Sequence, residues 1–425
     1  MGHNRASLAM FPFRPHSTLL AAAAGIYSIA AAWTPSAGQT LKPLQIVSEQ
    51  RVKTGVEVYE AMNAEPFAGK RIAIVTNQTG VDAFGHRTID MFAGRTDVKL
   101  FAIFSPEHGL SGDADAEVAD TTDEATGARV YSLYGKTRRP TDAMLKGIDV
   151  LVFDVQDAGV RFYTYVTTMA YCMEAAAKRH IKFVVFDRPD PLGGEIIEGP
   201  MLDPDRTSFT AYFPMPIRYG MTIGELAKMF NAENHIGAKL EIWPLGNWRR
   251  SEAYDQTGLR WIPPSPNLRT VDEAFLYPGV EILQAGGVSV GRGTDTPFEI
   301  LGAPWIRAGD LAAELEKRAI PGVRFAAEHF TPTSGLYRGQ LCNGVKMKVT
   351  DRGTFRSMRM GIEIAGALHR LYPDHFEIDK VDTLLGSQST IDGLKRGDAP
   401  ADIVAGWSDD LAKFRKMREK YLLYN

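Results

Sequence analysis

Short, almost continuously apolar segments recur through the first half of the chain, and polar residues follow each of them. The clearest four span residues 71–76, 98–104, 149–154 and 182–187. Strands that are buried on both faces of a parallel sheet have this composition, because both alternating sets of side chains lie in the core. The pattern therefore predicts a mainly parallel sheet.

Helical periodicity appears between and after these segments. The spacing predicts helices over residues 55–62, 141–146, 165–178 and 222–234, and a further strand over 239–243. Alternation of strands and helices is typical of an open, doubly wound α/β sheet with helices on both faces.

The pattern changes from about residue 305. A helix is predicted over 308–318, strands over 323–327 and 345–349, and a helix over 355–371. We therefore predict an α/β domain at residues 50–304 and a smaller C-terminal α+β domain at residues 305–425.

The first 38 residues have the organisation of a secretory signal peptide. Arg5 and Arg14 precede an uncharged apolar run over 19–33, and small residues end at Gly38. The run is short for a membrane span. We expect residues 1–38 to be removed on export to the periplasm or the medium; an uncleaved anchor and a disordered leader are the alternatives.

Composition excludes several classes of partner. The 425 residues carry a formal charge of −3, and 44% are hydrophobic. A well-cored, slightly acidic protein has no general attraction for nucleic acid or anionic membranes. Cys172 and Cys342 are the two cysteines of the chain. They allow one disulfide in an oxidising compartment, but packing of Cys172 as a small apolar side chain is the stronger interpretation.

Polar side chains that could form a site follow each of the four predicted strands. In an open parallel sheet, ligands bind in the crevice beyond the carboxyl ends of the strands. The candidates at these ends are Asn77, Glu107, His108, Asp154, Asp157, Arg161, Tyr163, Arg188 and Asp190.

Three other chemistries fit the sequence less well. The segment after the first strand lacks the glycine patterns that bind dinucleotides or nucleoside triphosphates. Ser289 lies in a G-x-S-x-G match with Asp295 and His329 downstream, but no helix can begin promptly after the serine. Residues 113–117 resemble half of a calcium loop without its glycine and final glutamate.

Paired carboxylates are the remaining possibility. Glycoside hydrolysis needs an acid that protonates the leaving oxygen and a second group that stabilises or attacks the developing cation. Glu107 stands between a proline and a histidine at a strand end, with aspartates on neighbouring ends. Arg161, Arg188 and Arg292 could bind an anionic substituent, or could form structural ion pairs.

Several motifs together resemble the NamZ-like exo-β-N-acetylmuramidase family, formerly known only as a domain of unknown function. The similarity extends over about residues 50–425, in the same order throughout. The motifs are VTNQTG (75–80), SPEHGL (105–110), DVQDAGVRFYTY (154–165), DRPDPLGG (187–194), EGPMLD (198–203), MTIGELA (221–227), WIPPSPN (261–267), GRGTDTPFE (291–299) and GAPW (302–305).

The resemblance implies a Rossmann-like catalytic domain that removes N-acetylmuramic acid from the non-reducing end of peptidoglycan fragments. We expect Glu107 to be the general acid. Asp157 or Asp154 would be the second carboxylate, or would orient the acetamido group of the substrate if that group is the nucleophile. No metal or cofactor is expected. The substrate-binding candidates are Asn77, His108, Arg161, Tyr163, Arg188, Asp190, Arg292 and Glu299.

Two departures from the family pattern leave the substrate open. Tyr219 stands where relatives often have histidine, and Gln284 begins a segment where many have Glu-Gly-Thr-Asn. The rival interpretations are a non-catalytic periplasmic protein that binds muropeptides, and a serine esterase that uses Ser289. The sequence does not determine the oligomeric state.

Overall fold

The computed structural model describes residues 51–62, 67–114 and 116–425. The predicted signal peptide, residues 1–38, lies outside the described residues. The strands are β1 (Arg71–Thr76), β2 (Lys99–Ser105), β3 (Thr121–Thr122), β4 (Arg129–Ser132), β5 (Val150–Asp154), β6 (Lys182–Phe186), β7 (Glu198–Met201), β8 (Pro216–Arg218), β9 (Lys239–Trp243), β10 (Ile300–Ala303), β11 (Val323–Phe330) and β12 (Cys342–Val349).

Helices alternate with these strands and dominate the C-terminal part. They are α1 (Gly55–Ala61), α2 (Thr88–Ala93), α3 (Tyr165–Lys178), α4 (Ile223–Glu233), α5 (Val271–Gln284), α6 (Ala308–Lys317), α7 (Ser357–Leu371), α8 (Asp382–Leu385), α9 (Gln388–Arg396), α10 (Pro400–Ala405) and α11 (Ser408–Arg418). Short 3-10 helices occupy Tyr254–Gln256 and Ile378–Val381.

The main sheet is doubly wound, as predicted. Its order is β3-β4-β2-β1-β5-β6-β9, and every neighbouring pair except β3 and β4 is parallel. Alternate residues of β1 enter two different hydrophobic clusters: Ile72 packs with α1 and α2, whereas Ala73 packs with α3 and α4. Both faces are therefore covered, which explains why the interior residues of the central strands β1, β5 and β6 are apolar.

A smaller antiparallel sheet lies in the C-terminal part, in the order β10-β12-β11, with α6 packed against β11 and β12 and α7 packed against α6. The predicted α+β character of this part is confirmed. One hydrophobic cluster contains Phe153 of β5, Leu283 of α5 and Leu368 of α7. Because the core is continuous, the domain boundary after residue 304 stays a prediction.

Two local expectations were wrong. Residues 142–147 form turns and not the predicted helix. Leu145 N–H donates to the Thr141 carbonyl four residues back, but the N–H groups of Lys146 and Ile148 donate to carbonyls only three residues back. Helix α5 was missed because Pro278 and Gly279 interrupt its pattern. The sequence does contain a signal for the start of α5. Thr270 and Glu273 form a capping box, in which the side chain of each residue accepts a hydrogen bond from the backbone N–H of the other.

The two cysteines do not form a disulfide in this structure. Both Cys172 and Cys342 are free thiols, and both are fully buried. Burial raises the pKa of the Cys342 thiol to about 11. Cys172 packs in α3 as a small apolar side chain.

A buried ion pair joins the ends of two central strands. Asp154, the last residue of β5, is fully buried and accepts from Arg188 Nε at 2.6 Å, while Thr88 also donates to it. Arg188 follows β6, is 4% exposed, and donates a second bond to the carbonyl of Val81. The pair therefore fixes the segments that follow β1, β5 and β6.

Helices α5 and α7 cross at a pair of glycines. A Cβ built on Gly279 would lie 2.0 Å from the carbonyl oxygen of Ser357, and one built on Gly361 would lie 2.5 Å from that of Gly279. The backbones therefore touch at a distance that only glycine permits.

Replacement of Arg188 should destabilise the fold. Arg188→Met leaves the Asp154 carboxylate buried without its counter-ion, which typically costs about 3–5 kcal/mol. The free energy of unfolding, measured by urea titration, reports the loss. Arg71→Met is the matched control, because the partly exposed Arg71–Asp149 pair should matter much less. Equal losses in the two variants would contradict the assignment.

Enlargement of the helix crossing should also destabilise it. Gly279→Ala forces α5 and α7 apart, and overpacking of this kind costs about 1–3 kcal/mol. Gly309→Ala in α6 is the control, since Gly309 is exposed and a Cβ added there would have nothing within 4 Å. Thermal unfolding should show a lower Tm for Gly279→Ala alone; similar values for both would count against close packing.

Candidate active site

The turn after β2 places Glu107 at the rim of the sheet. His108 and Gly109 have positive φ angles of 70° and 77°, so the chain reverses within two residues. This conformation is costly for histidine but not for glycine. His108 Nδ1 lies 2.6 Å from the carbonyl oxygen of Ala114. Because a carbonyl only accepts, Nδ1 carries the proton and the turn is held in one conformation.

Hydroxyl groups surround the carboxylate of Glu107. Thr164, at the start of α3, donates to Glu107 Oε2. Burial and the hydrogen bond to Glu107 raise the pKa of Tyr134 to about 12, so this phenol remains a donor near neutral pH. The hydroxyl of Tyr165 lies 3.3 Å from the Glu107 carbonyl oxygen. Glu107 itself is partly exposed, so it can reach a ligand while its neighbours hold it.

Glu107 lines a cleft of about 490 Å³, which we call the Glu107 cleft. Both the sheet and the C-terminal part contribute to its walls. The lining residues are Glu107, His108, Phe162, Tyr163, Thr164, Thr210, Ser265, Tyr277, Glu281, Gln284, Arg292, Ser334, Gly335 and Leu384. Its volume is within the range of small-molecule sites, roughly 300–1,000 Å³.

Aromatic rings form one wall of the cleft. Tyr277 of α5 meets Phe162 edge-on at 5.4 Å and Tyr163 at 6.1 Å between ring centroids. Tyr163 in turn contacts Tyr165, the residue behind Glu107. Burial raises the pKa of Tyr163 and of Tyr277, so both phenols stay neutral. Such a wall offers apolar surface beside polar groups.

The cleft lining also contains a guanidinium that contacts two side chains of α5. Arg292 Nη2 donates to Glu281 Oε1 at 2.7 Å, and its Nε donates to Gln284 Oε1 at 2.9 Å. Desolvation is the largest influence on Glu281 and raises its pKa, although Arg292 opposes the shift; the charge of Glu107 raises it further. The cleft therefore contains two carboxylates and one compensating cation.

Four of the residues predicted from sequence lie together in this cleft: Glu107, His108, Tyr163 and Arg292. Asn77 lies behind them, 4% exposed, and its amide donates to the Tyr165 hydroxyl at 3.0 Å. Its contribution is to hold the residue that contacts Glu107.

The predicted aspartates lie outside the lining of the cleft. Asp154 is occupied by Arg188, as described above. Asp157 is 5% exposed and accepts from the hydroxyl of Tyr219 and the backbone N–H of Gly159. Burial raises the pKa of Asp157 to about 6 and that of Asp190 to about 7. A direct role for any of them in catalysis or substrate binding stays a prediction.

Arg161 and Glu299 also have protein partners elsewhere. Arg161 is 1% exposed, and its guanidinium donates to four backbone carbonyls. Glu299 is within 3.8 Å of Lys346 on β12. Neither residue is part of the cleft lining, so their contact with substrate stays a prediction, as does that of Arg188.

Sequence reasoning missed Glu281, Tyr277 and Thr164. Glu281 is the single charged residue in the apolar stretch 274–283, and it is 9% exposed. An isolated charge within an apolar helix is a recognisable signal, because burial requires it to have a partner. Glu281 was not predicted as a site residue because helix α5 itself was not predicted.

The catalytic groups of a serine hydrolase are not assembled here. Ser289 is 3% exposed, and its hydroxyl accepts from the backbone N–H of Gly291. His329 pairs with Asn343, and Asp295 is fully exposed near Arg269. Among the described residues, no hydrogen bond joins Ser289 to Asp295 or His329.

No group of three or more His, Cys, Asp or Glu side chains in the described part of the chain is arranged to hold a metal ion. Within residues 51–62, 67–114 and 116–425, no helix combines the length and apolar character needed to cross a membrane.

Comparisons with known proteins identify the same family over nearly the whole chain. The family described as exo-beta-N-acetylmuramidase NamZ matches in two parts, its N-terminal model over residues 72–272 and its C-terminal model over residues 275–424. The peptidoglycan beta-N-acetylmuramidase NamZ of Bacillus subtilis (strain 168) is 42% identical over 405 residues, which cover 94% of this chain and 96% of that protein.

Two solved structures share the fold. Both are DUF1343 family proteins from Bacteroides fragilis NCTC 9343, and each comparison covers 88% of this chain and 99% of the other. One has a TM-score of 0.82 at 38% identity, and the second has 0.72 at 30%. With two matching family models and a relative at 42% identity, the chain belongs to the exo-β-N-acetylmuramidase NamZ family, a family of glycosidases.

Proposed function

We propose that this protein is an exo-acting glycosidase that releases N-acetylmuramic acid, or a closely related amino sugar, from the non-reducing end of peptidoglycan fragments, with Glu107 as the general acid. The observation that carries the proposal is the position of Glu107. It is a partly exposed carboxylate on a fixed turn, it lines a cleft of small-molecule size, and it accepts hydrogen bonds from the hydroxyls of Thr164 and Tyr134.

The surroundings of Glu107 suit an acid that must give up its proton. When Glu107 protonates the glycosidic oxygen, a carboxylate forms in a partly buried position. The hydroxyls of Thr164 and Tyr134 stabilise that charge by hydrogen bonding and need no reorganisation. Their backbone positions are held by α3 and by the loop after β4.

The remainder of the cleft suits an amino sugar that carries a carboxylate. Tyr163 and Tyr277 provide apolar surface for a sugar ring, and Arg292 provides a cation for the lactyl carboxylate of muramic acid. Asp157 or Asp154 as the second carboxylate stays a prediction, and so does the alternative in which the substrate's acetamido group supplies the nucleophile.

The departures at Tyr219 and Gln284 affect the cleft unequally. Tyr219 is fully buried and donates to Asp157, so it lies behind the lining. Gln284 lines the cleft and contacts Arg292. A change of substrate preference is therefore more easily attributed to Gln284.

Hydrolysis by wild type and by Glu107→Gln tests the proposal. The substrates are the disaccharide N-acetylmuramyl-N-acetylglucosamine and the para-nitrophenyl glycosides of N-acetylmuramic acid and N-acetylglucosamine. The variant should lose about 10²–10⁴-fold in kcat on the disaccharide, as is typical for a general acid. It should lose much less on para-nitrophenyl N-acetylmuramide, because nitrophenolate leaves without protonation.

Two control variants sharpen the result. Glu124→Gln changes an exposed carboxylate elsewhere and should leave kcat unaltered. Ser289→Ala should keep full activity; loss of its activity together with an active Glu107→Gln would assign catalysis to Ser289 and contradict Glu107 as the acid. Folded wild type that is inactive on all three substrates would contradict a glycosidase, and would favour the muropeptide-binding protein. Turnover of the glucosaminide alone would reassign the sugar.

The proposal includes export through the signal peptide at residues 1–38. The basic residues and the apolar run 19–33 support it. The full chain, produced in a bacterium that has a periplasm, should be recovered there with a new N-terminus near residue 39. A chain that lacks residues 1–38 should stay in the cytoplasm. Recovery of the intact full chain from the cytoplasm would contradict export.

A further inference from the structure

Glu281 is a second carboxylate in the Glu107 cleft with no role in the mechanism above. It projects from the last turn of α5, is 9% exposed, and contributes to the cleft lining. Its Oε1 accepts from Arg292, whereas Oε2 has no hydrogen-bond partner among the described residues. A buried carboxylate with one oxygen that lacks a hydrogen bond costs free energy, unless that oxygen is protonated or gains a partner from a ligand.

Arg292 already has partners when the cleft is empty of substrate. Its contacts with Glu281 and Gln284 engage Nη2 and Nε, and its guanidinium carbon lies 5.2 Å from the centroid of Phe298. A substrate carboxylate that approaches Arg292 therefore meets a guanidinium whose charge Glu281 neutralises. It also meets Glu107, so the cleft as a whole repels an anion while both glutamates are ionised.

We propose that Glu281 determines specificity by exchange: it holds Arg292 in the free enzyme, and it takes up a proton when the carboxylate of an anionic sugar replaces it on Arg292. The inference rests on the proposed function, because it uses the lactyl carboxylate of N-acetylmuramic acid as the incoming anion. A neutral sugar such as N-acetylglucosamine displaces nothing and binds without a proton.

The charges balance in this step. The ion pair between Arg292 and Glu281 breaks, an ion pair between Arg292 and the substrate carboxylate forms, and one proton passes from the solvent to Glu281. The charged or titratable groups that face Glu281 are Arg292, Glu107 at the end of β2, and Tyr277 one turn earlier on α5. Burial raises the pKa of Tyr277 far above neutrality, so it does not take part.

The direction of the pH dependence follows from the same contacts. Desolvation and Glu107 raise the pKa of Glu281 in the free enzyme, while Arg292 lowers it. The bound anion breaks the ion pair between Glu281 and Arg292 and places a negative charge near Glu281. The pKa of Glu281 therefore rises further in the complex. Between these two pKa values, binding takes up a proton, and the Kd for N-acetylmuramic acid rises by up to about tenfold per pH unit.

Calorimetry of sugar binding tests the exchange on the intact mature protein. N-acetylmuramic acid is titrated between pH 5.5 and 8 in two buffers with different ionisation enthalpies, and the difference in heat gives the number of protons taken up. Between the pKa of Glu281 in the free enzyme and its pKa in the complex, we expect uptake of nearly one proton for each N-acetylmuramic acid bound. We expect no uptake for N-acetylglucosamine. Absence of uptake by wild type would overturn the exchange, whether or not a variant folds.

Matched variants assign the proton to its site. Glu281→Gln should abolish the uptake and bind N-acetylmuramic acid more tightly at the alkaline end of the range, because Arg292 is released. Gln284→Ala removes the neutral partner of Arg292 and should retain the uptake. Glu107→Gln should also retain it, which excludes Glu107 as the acceptor.

The contrary outcomes are distinct from failure of the proposed function. Binding of N-acetylmuramic acid without proton uptake, or uptake that persists in folded Glu281→Gln, would overturn this inference and leave the glycosidase proposal intact. An enzyme that neither binds nor releases N-acetylmuramic acid would overturn the proposed function, and the exchange with it.

Discussion

The energetic cost of buried charge controls the edge of the sheet where the polar strand ends meet. A carboxylate that leaves water must be paired, hydrogen-bonded or protonated. Asp154 is paired with Arg188, whereas burial raises the pKa of Asp157 to about 6 and that of Asp190 to about 7. Groups satisfied in this way hold the strand ends together. Glu107, at the rim, remains partly exposed, and this exposure is what the proposed function uses.

The same requirement connects the two parts of the chain. Arg161 enters the core because four carbonyl oxygens receive its guanidinium, among them those of Pro200 and Met215 near the sheet and of Leu384 and Leu385 in α8. Leu384 also lines the Glu107 cleft. A buried cation therefore fixes one wall of the cleft relative to the other, and the close crossing of α5 and α7 fixes a second contact between the same parts.

The sequence predicted which segments are buried strands better than it predicted the hydrogen-bond and ion-pair partners of polar side chains. Strands such as β1 were identified to the residue, because a continuous apolar run has one good explanation in a parallel sheet. Glu107 and His108 were placed correctly at the rim by the rule that ligands bind beyond strand ends. Arg161 also follows a strand end, but its guanidinium is enclosed by backbone carbonyls. The hydrophobic periodicity of the sequence contains no information about such an enclosure. Whether a polar residue points into the core or into a cleft is decided by tertiary contacts.

In the proposed exchange, Arg292 illustrates why a site for an anion contains an anion of its own. An arginine held in a partly buried cleft loses hydration, so the free enzyme needs a local acceptor to keep it there. Glu281 and Gln284 provide that acceptor from successive turns of α5, one charged and one neutral. If both acceptors were neutral, the cation would favour any anion; with Glu281 present, an incoming carboxylate has to displace a competitor. In the proposed exchange, charge selectivity therefore depends on the strength of the ion pair between Arg292 and Glu281, which a substitution in α5 would alter.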